Sequence, residues 1–185
     1  MSGRILAIDT STSRCSAAFG RRSAGIEAPT GHAEHLADVI RQVVDDVSQI
    51  ESIVVGVGPG PYTGLRVGVV TALTMATALE VPVAGVCSLD GLGHRMGEGV
   101  VVTDARRREV FAALYSQGHR IDGPVVLSPS QVPLRWPDQP VMGPGTARYP
   151  DLGDAAQIDA ADLLEVPADL PVRPWYLRDP DAKPQ

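Results

Sequence analysis

Cysteine is almost absent. Cys15 and Cys87 are the only two among 185 residues, with no CxxC pair and no framework spacing. That excludes a disulfide-stapled scaffold and a thiolate metal site, and the two read as buried, reduced thiols. Aromatic residues make up only 4 % of the chain, so the core must be built from alanine, valine and leucine. No basic amino-terminal region precedes a long apolar run; Ile5 to Ile8 is a strand core, too short for a leader or a span. A cytoplasmic protein with no membrane contact is expected. Recognisable reaction centres are missing too. There is no GxSxG elbow, no cysteine with a plausible base and no paired-carboxylate motif.

What is present is an ordinary globular composition, 44 % apolar and 21 % charged. The length suits one core or two small lobes. The net charge is −6. Proteins that hold nucleic acid unaided usually carry a basic patch, because phosphate neutralisation dominates the affinity. The one dense basic run is Arg106-Arg107-Arg108, followed by Glu109. It reads most simply as a solvated loop end.

Along the chain, Arg4 to Asp9 is a short apolar strand of the kind covered on both faces, and Asp9-Thr-Ser-Thr-Ser13 supplies turn chemistry. Cys15 to Gly20 returns as a hairpin strand, with a weaker strand near Ala24 to Ala28. From His35, Leu36, Val39, Ile40, Val43, Val44 and Val47 repeat at helical spacing, predicting an amphipathic helix to about Ser48. Ser52 to Val57 is a buried strand that Pro59 and Pro61 must end. Leu65 to Leu79 predicts a second helix, Val81 to Val86 a strand, and Ser88 a cap for a short helix to Met96. Val100 to Asp104 and Glu109 to Tyr115 form two strands joined by the arginine turn. Beyond Gly118, recurrent prolines exclude long helices; Ala160 to Leu164 makes a helical turn or two, and Val172 to Leu177 is extended. The expected units are an α/β lobe over 1–97, a smaller lobe over 98–178 and a flexible tail over 179–185.

The glycine-rich segment 56–68, GVGPGPYTGLRVG, is tested first as a phosphate loop. It fails the Walker register, since Gly58 and Gly64 are six apart and Leu65-Arg66 follow. The dinucleotide fingerprint lacks its third glycine, and the two prolines remove backbone donors. A rigid turn that aims the next helix is the better reading, with an anion at that helix start, near Thr63 and Arg66, as the alternative. Asp9 and Thr10 follow the first strand, where nucleotide-handling folds place an acid and a hydroxyl against phosphate and magnesium. His32 and His35 are spaced i, i+3, unlike the i, i+4 pair of HExxH, and no third ligand is nearby. Capping or interface is the better role for them.

Taken in order, ILAIDTST, His35 opening the first long helix, GxGPGxxTGLRxG, ValCysSerLeuAsp at 86–90, AspAlaArgArgArgGluVal at 104–110 and TyrLeuArgAsp at 176–179 make the chain resemble the TsaB (YeaZ) family. That family serves the bacterial machinery that makes threonylcarbamoyladenosine in tRNA. The chain departs from it at Pro61-Tyr62, where Ser-Phe is commoner, and in a shorter, proline-rich second half. The resemblance implies an α/β, actin-like/Hsp70-like ATPase (ribonuclease H-like) fold of two lobes, the second reduced. It implies a non-catalytic dimerisation subunit for a TsaD-type transferase, with a TsaE-type ATPase joining at their junction. The free subunit is expected as a homodimer, and tRNA is reached only indirectly, through the complex. No cofactor or metal is required, ATP or ADP being held only at the complex interface. The partner face would include His32, His35, Leu36, Val39, Val43, Arg66, Val69, Val70, Leu73 and Thr77 of the two helices. Asp9, Thr10, Thr63 and Arg66 remain the candidate nucleotide or anion residues. Two other readings stand beside this one: a small ATPase or phosphotransferase using Asp9 and Thr10, and a metallopeptidase-like protein.

Overall fold

Strand β1 (Ile5–Asp9) has Leu6 and Ile8 on one face and Ala7 on the other, and all three are fully buried. The strand is therefore covered on both sides, as its unbroken apolar run requires. The computed structural model describes residues 4–28 and 31–178. Antiparallel β2 (Arg14–Phe19) and β3 (Arg22–Glu27) flank β1 on one side; parallel β4 (Ser52–Gly58) and β5 (Val83–Cys87) continue on the other, in the order β3-β2-β1-β4-β5.

Helices α1 (His32–Val43) and α2 (Tyr62–Leu79) cover one face, where Leu36, Val39, Val43, Val69 and Ala72 meet Leu6, Ile8, Ile53 and Val55. The opposite face has the smaller residues Ala7, Ala18, Val54 and Val86. A 3₁₀ turn, Ala160–Glu165, lies against it through Ala160 and Leu163. Small side chains on that face suit so thin a cover. Helix α3 (Ser88–Met96) leads from β5 to a second sheet of β6 (Gly99–Asp104), β7 (Val110–Ser116), β8 (His119–Leu127) and β9 (Val141–Met142), ordered β8-β7-β6-β9. A four-residue helix α4 (Val132–Arg135) lies between the last two. In both sheets a first strand has an antiparallel meander on one side and a parallel strand on the other. The same topology is thus laid down twice, with the second copy smaller.

Several sequence expectations need correction. Helix α1 starts at His32 and stops at Val43, not near Ser48; Val44 is extended, and the Asp46 side chain accepts from Ser48 N to start a separate 3₁₀ turn. Helix α2 starts at Tyr62, so Gly64 is inside it. Ser88 opens α3 with no side-chain cap bond, and its hydroxyl accepts from Gly58 N at 3.2 Å. The half beyond Gly118 begins with the nine-residue strand β8, which the prolines concealed. Pro124 is tolerated because β8 is an edge strand and its register shifts there. Residues 172–177 form no strand. Only Leu170 bridges to Gly85, and Trp175 N donates to Val57 O at 2.8 Å, since Pro171 and Pro174 lack ladder donors. The segment from Ala160 to Trp175 also returns to the first sheet, while Leu170 and Trp175 pack against the second cluster as well. The tail expected over 179–185 lies outside the described residues.

Helix α2 has the length and hydropathy of a membrane span, yet one third of it is buried against its own sheet. That packing is what a surface helix of a globular fold shows.

Candidate functional site

The two most distinctive sequence motifs are the two halves of one interlock. Asp9 ends β1 wholly buried, and its Oδ1 accepts from Ser11 N at 2.9 Å and Ser11 Oγ at 2.7 Å. Its Oδ2 has no hydrogen-bond partner among the described residues. Burial raises the carboxyl above its ordinary range, opposed in part by the Ser11 amide and the Ser88 hydroxyl. Four glycines of the second motif then lie against the residues after β1. A Cβ at Gly56 would sit 1.8 Å from Asp9 Oδ2, at Gly60 2.3 Å from Ser11 O, at Gly64 2.6 Å from Thr10 O, and at Gly68 2.4 Å from Thr10 Oγ1. Only glycine allows so close an approach. The Thr10 hydroxyl completes the contact by donating to Gly64 O at 2.8 Å. Helix α1 grips the same loop, because His32 Nε2 donates to the Thr12 carbonyl at 2.8 Å.

This geometry divides the residues singled out from the sequence. Asp9 and Thr10 are buried and engaged with the fold, whereas Thr63 and Arg66 are exposed on α2, so the four do not converge on one anion. Arg66 Nη1 donates to Tyr62 Oη at 2.8 Å, with the guanidinium 5.1 Å from that ring's centroid. Leu36, Val39, Val43 and Val69 are all core residues at 3 % exposure or less, so their side chains face the sheet and are unavailable to a partner. Helical periodicity reports a buried face without saying what buries it. His32 and His35 are half-buried at the α1 entrance. Among the described residues, no three of His, Cys, Asp or Glu come together as a metal site.

The outward residues of α2 include Arg66, Val70, Leu73 and Thr77, with Val70 58 % and Leu73 40 % exposed. Their spacing of four, three and four places them on one stripe. The outward side of α1 is polar, with Glu34, Asp38 and Arg41.

Two features were not read from the sequence. Tyr62 stacks on Tyr176, with ring centroids 4.7 Å apart and planes at 22°. Asp90 on α3 accepts from Tyr115 Oη at 2.7 Å and Arg120 Nε at 2.8 Å, and Arg120 lies 5.4 Å from the Trp175 ring centroid. This network ties α3, the second sheet and the carboxy-terminal segment together. Burial and the neighbouring Asp90 push the Tyr115 phenol far above its usual range, so it remains a donor. The pairs of Tyr62 with Tyr176 and Asp90 with Arg120 leave no periodic signal, because their partners lie far apart in the chain.

A twice-laid α/β topology, whose first strand–turn unit clamps a glycine-rich helix start, defines the actin-like class. The family model described as TsaD, tRNA N6-adenosine threonylcarbamoyltransferase, matches residues 24–144. An uncharacterized protein of Mycobacterium tuberculosis is 37 % identical over 97 % of this chain and 94 % of its own length. The Escherichia coli tRNA threonylcarbamoyladenosine biosynthesis protein TsaB is 31 % identical over 90 % of this chain and 84 % of its own. The structure of YeaZ from Pseudomonas aeruginosa superposes with a TM-score of 0.72 at 28 % identity, over 88 % of this chain and 89 % of that one. The chain belongs to the TsaB (YeaZ) family.

Proposed function

We propose that this protein is a non-catalytic scaffold subunit in the biosynthesis of tRNA threonylcarbamoyladenosine, and that it binds a TsaD-type transferase through the outward face of α2. The observation that carries this is the stripe of Val70, Leu73 and Thr77, left exposed on a helix whose other side is locked by glycines onto the loop after β1. A rigid apolar stripe of this kind is what a helical partner packs against. The same face would pair two copies of the free chain, and a TsaE-type ATPase would join at the junction with the transferase. Any ATP or ADP would belong to that junction. The work would take place in the cytoplasm. The burial of Asp9 and Thr10 supports a structural role for them and counts against the ATPase reading. Among the described residues, the lack of any three metal-binding side chains grouped together counts against the peptidase one.

The test is co-purification of the chain with a TsaD-type partner. Val70→Asp and Leu73→Asp should each keep the circular dichroism of the parent and weaken the complex by about 2 kcal/mol or more, roughly 30-fold in Kd. Complex formation unchanged in both folded variants would refute the assignment. Magnesium-dependent ATP turnover by the isolated chain, abolished by Asp9→Ala, would revive the ATPase reading.

A further inference from the structure

On a chain of net charge −6, the carboxy-terminal strap and the turn between β6 and β7 bring aromatic and cationic groups to the start of α2. Tyr62 and Tyr176, stacked on each other, remain 43 % and 36 % exposed. They line a cleft of about 100 Å³ together with Arg106. A neighbouring cleft of about 160 Å³ shares Pro61, Asp104 and Arg106 with it and continues along Ser11, Thr12 and Ser13. Thr103 also borders that second cleft; it is 2 % exposed, and its Oγ1 has no hydrogen-bond partner among the described residues. The two clefts therefore form one groove, aromatic at one end, hydroxylated at the other and crossed by an arginine.

The charge in this region is unbalanced. Arg66, Arg106 and Arg108 have no carboxylate partner among the described residues, whereas Arg178 is paired with Glu109. The one carboxylate of the groove, Asp104, accepts from Arg106 N at 3.0 Å. Arg106, Arg107 and Arg108 stand at φ 62, 50 and 62°, a conformation that asparagine or glycine takes more readily than arginine. Arginine therefore occupies a turn for which backbone preference alone would select other residues.

We propose that this groove binds a single-stranded segment of RNA, with a base stacked against the Tyr62–Tyr176 pair and phosphates held by Arg106 and Arg66. Stacking rings flanked by guanidinium groups are the general chemistry of single-strand binding. Protein docking is better served by the apolar stripe at Val70 and Leu73, about two to three turns beyond Tyr62 on the same helix. Helix α2 thus carries two surfaces, one cationic and aromatic, the other apolar. The inference rests on the tRNA-modification reading for its choice of RNA, and it departs from the expectation that tRNA is reached only indirectly.

The experiment measures binding of an unmodified tRNA transcript to the chain alone and to its complex with a TsaD-type transferase, from low to moderate salt. The variants are Arg106→Asn, which suits the turn's backbone, and Tyr176→Ala. The expected result is about a tenfold loss of RNA affinity in each, with transferase binding unchanged. In the arginine variant the salt dependence should fall by about 0.7 for the lost phosphate contact. Ultraviolet crosslinking of the parent complex should attach RNA to the peptide carrying Tyr62 or Tyr176. Unchanged RNA affinity in both settings overturns the proposal. Loss of transferase binding in place of RNA binding also overturns it, and makes the groove a protein contact. If the parent chain fails to bind the transferase yet loses RNA on mutation, the scaffold reading fails and the groove stands.

Discussion

Gly68→Ala sets two known effects against each other inside α2. A methyl group there would sit 2.4 Å from Thr10 Oγ1, but 3.5 and 3.6 Å from Thr10 Cβ and Cγ2. The last two are ordinary contacts, so the clash belongs to the hydroxyl. Moving it forces a packed site apart, which costs about 1–3 kcal/mol. The move also strands a buried hydroxyl that now donates to Gly64 O at 2.8 Å, for about 1 kcal/mol or more. Alanine returns about 1 kcal/mol in helix propensity. The net expectation is a loss of about 2 kcal/mol, or roughly 4–8 °C in Tm for a chain of this size. Scanning calorimetry or urea titration reads this directly. The sharper measurement is the double-mutant cycle. In a Thr10→Ala background the offending atom is gone, so Gly68→Ala should be neutral or stabilising, with a coupling of about 2 kcal/mol. A Gly68→Ala protein as stable as the parent, or additive effects in the cycle, would refute the interlock.

Leu36→Ala should cost about 2–5 kcal/mol in urea titrations, whereas Leu73→Ala should stay within about 1 kcal/mol, because the first is 2 % and the second 40 % exposed. Equal losses would show that the two helix faces are misassigned. Asp9 holds its proton to higher pH when folded than when unfolded. Its stabilising contribution is therefore complete below its unfolded pKa of about 4 and declines as pH rises through the raised folded value. Asp9→Asn should accordingly gain on the parent in Tm between pH 4 and 8, and a pH-independent difference would argue against a raised carboxyl. Cys15, pushed up to about 11 by burial, and Cys87, raised further still, should ignore a disulfide reagent at pH 8 until the chain unfolds. Rapid reaction of the native protein would contradict their burial.

Most of the first lobe was legible because its signals are local. An unbroken apolar run, a 3.6-residue repeat and prolines that stop a strand each report on their own neighbourhood. The errors lie where local rules meet long-range compensation. Gly64 reads as a helix boundary but is an interior residue, because Thr10 needs the room of the missing side chain. The prolines beyond Gly118 read only as excluding long helices and left β8 unpredicted, because Pro124 is tolerated on an edge at a register shift. Leu36, Val39 and Val43 read as a partner face because apolar spacing is the same whether a sheet or another protein covers it.

The sequence by itself determined the family, the α/β order of elements and the absence of a phosphate-loop register at residues 56–68. Each depends on residue type and spacing read along the chain. Only the tertiary structure decided why the motifs exist. Glycines four apart show no partner in one dimension; in three, they let α2 approach the loop after β1 to within contact of its backbone. Which apolar residues of α2 are left for a partner was likewise settled by the sheet, which takes Val69 and leaves Val70 and Leu73 outside. Burial is a property of what lies opposite, and for this chain that is set by contacts between residues tens of positions apart.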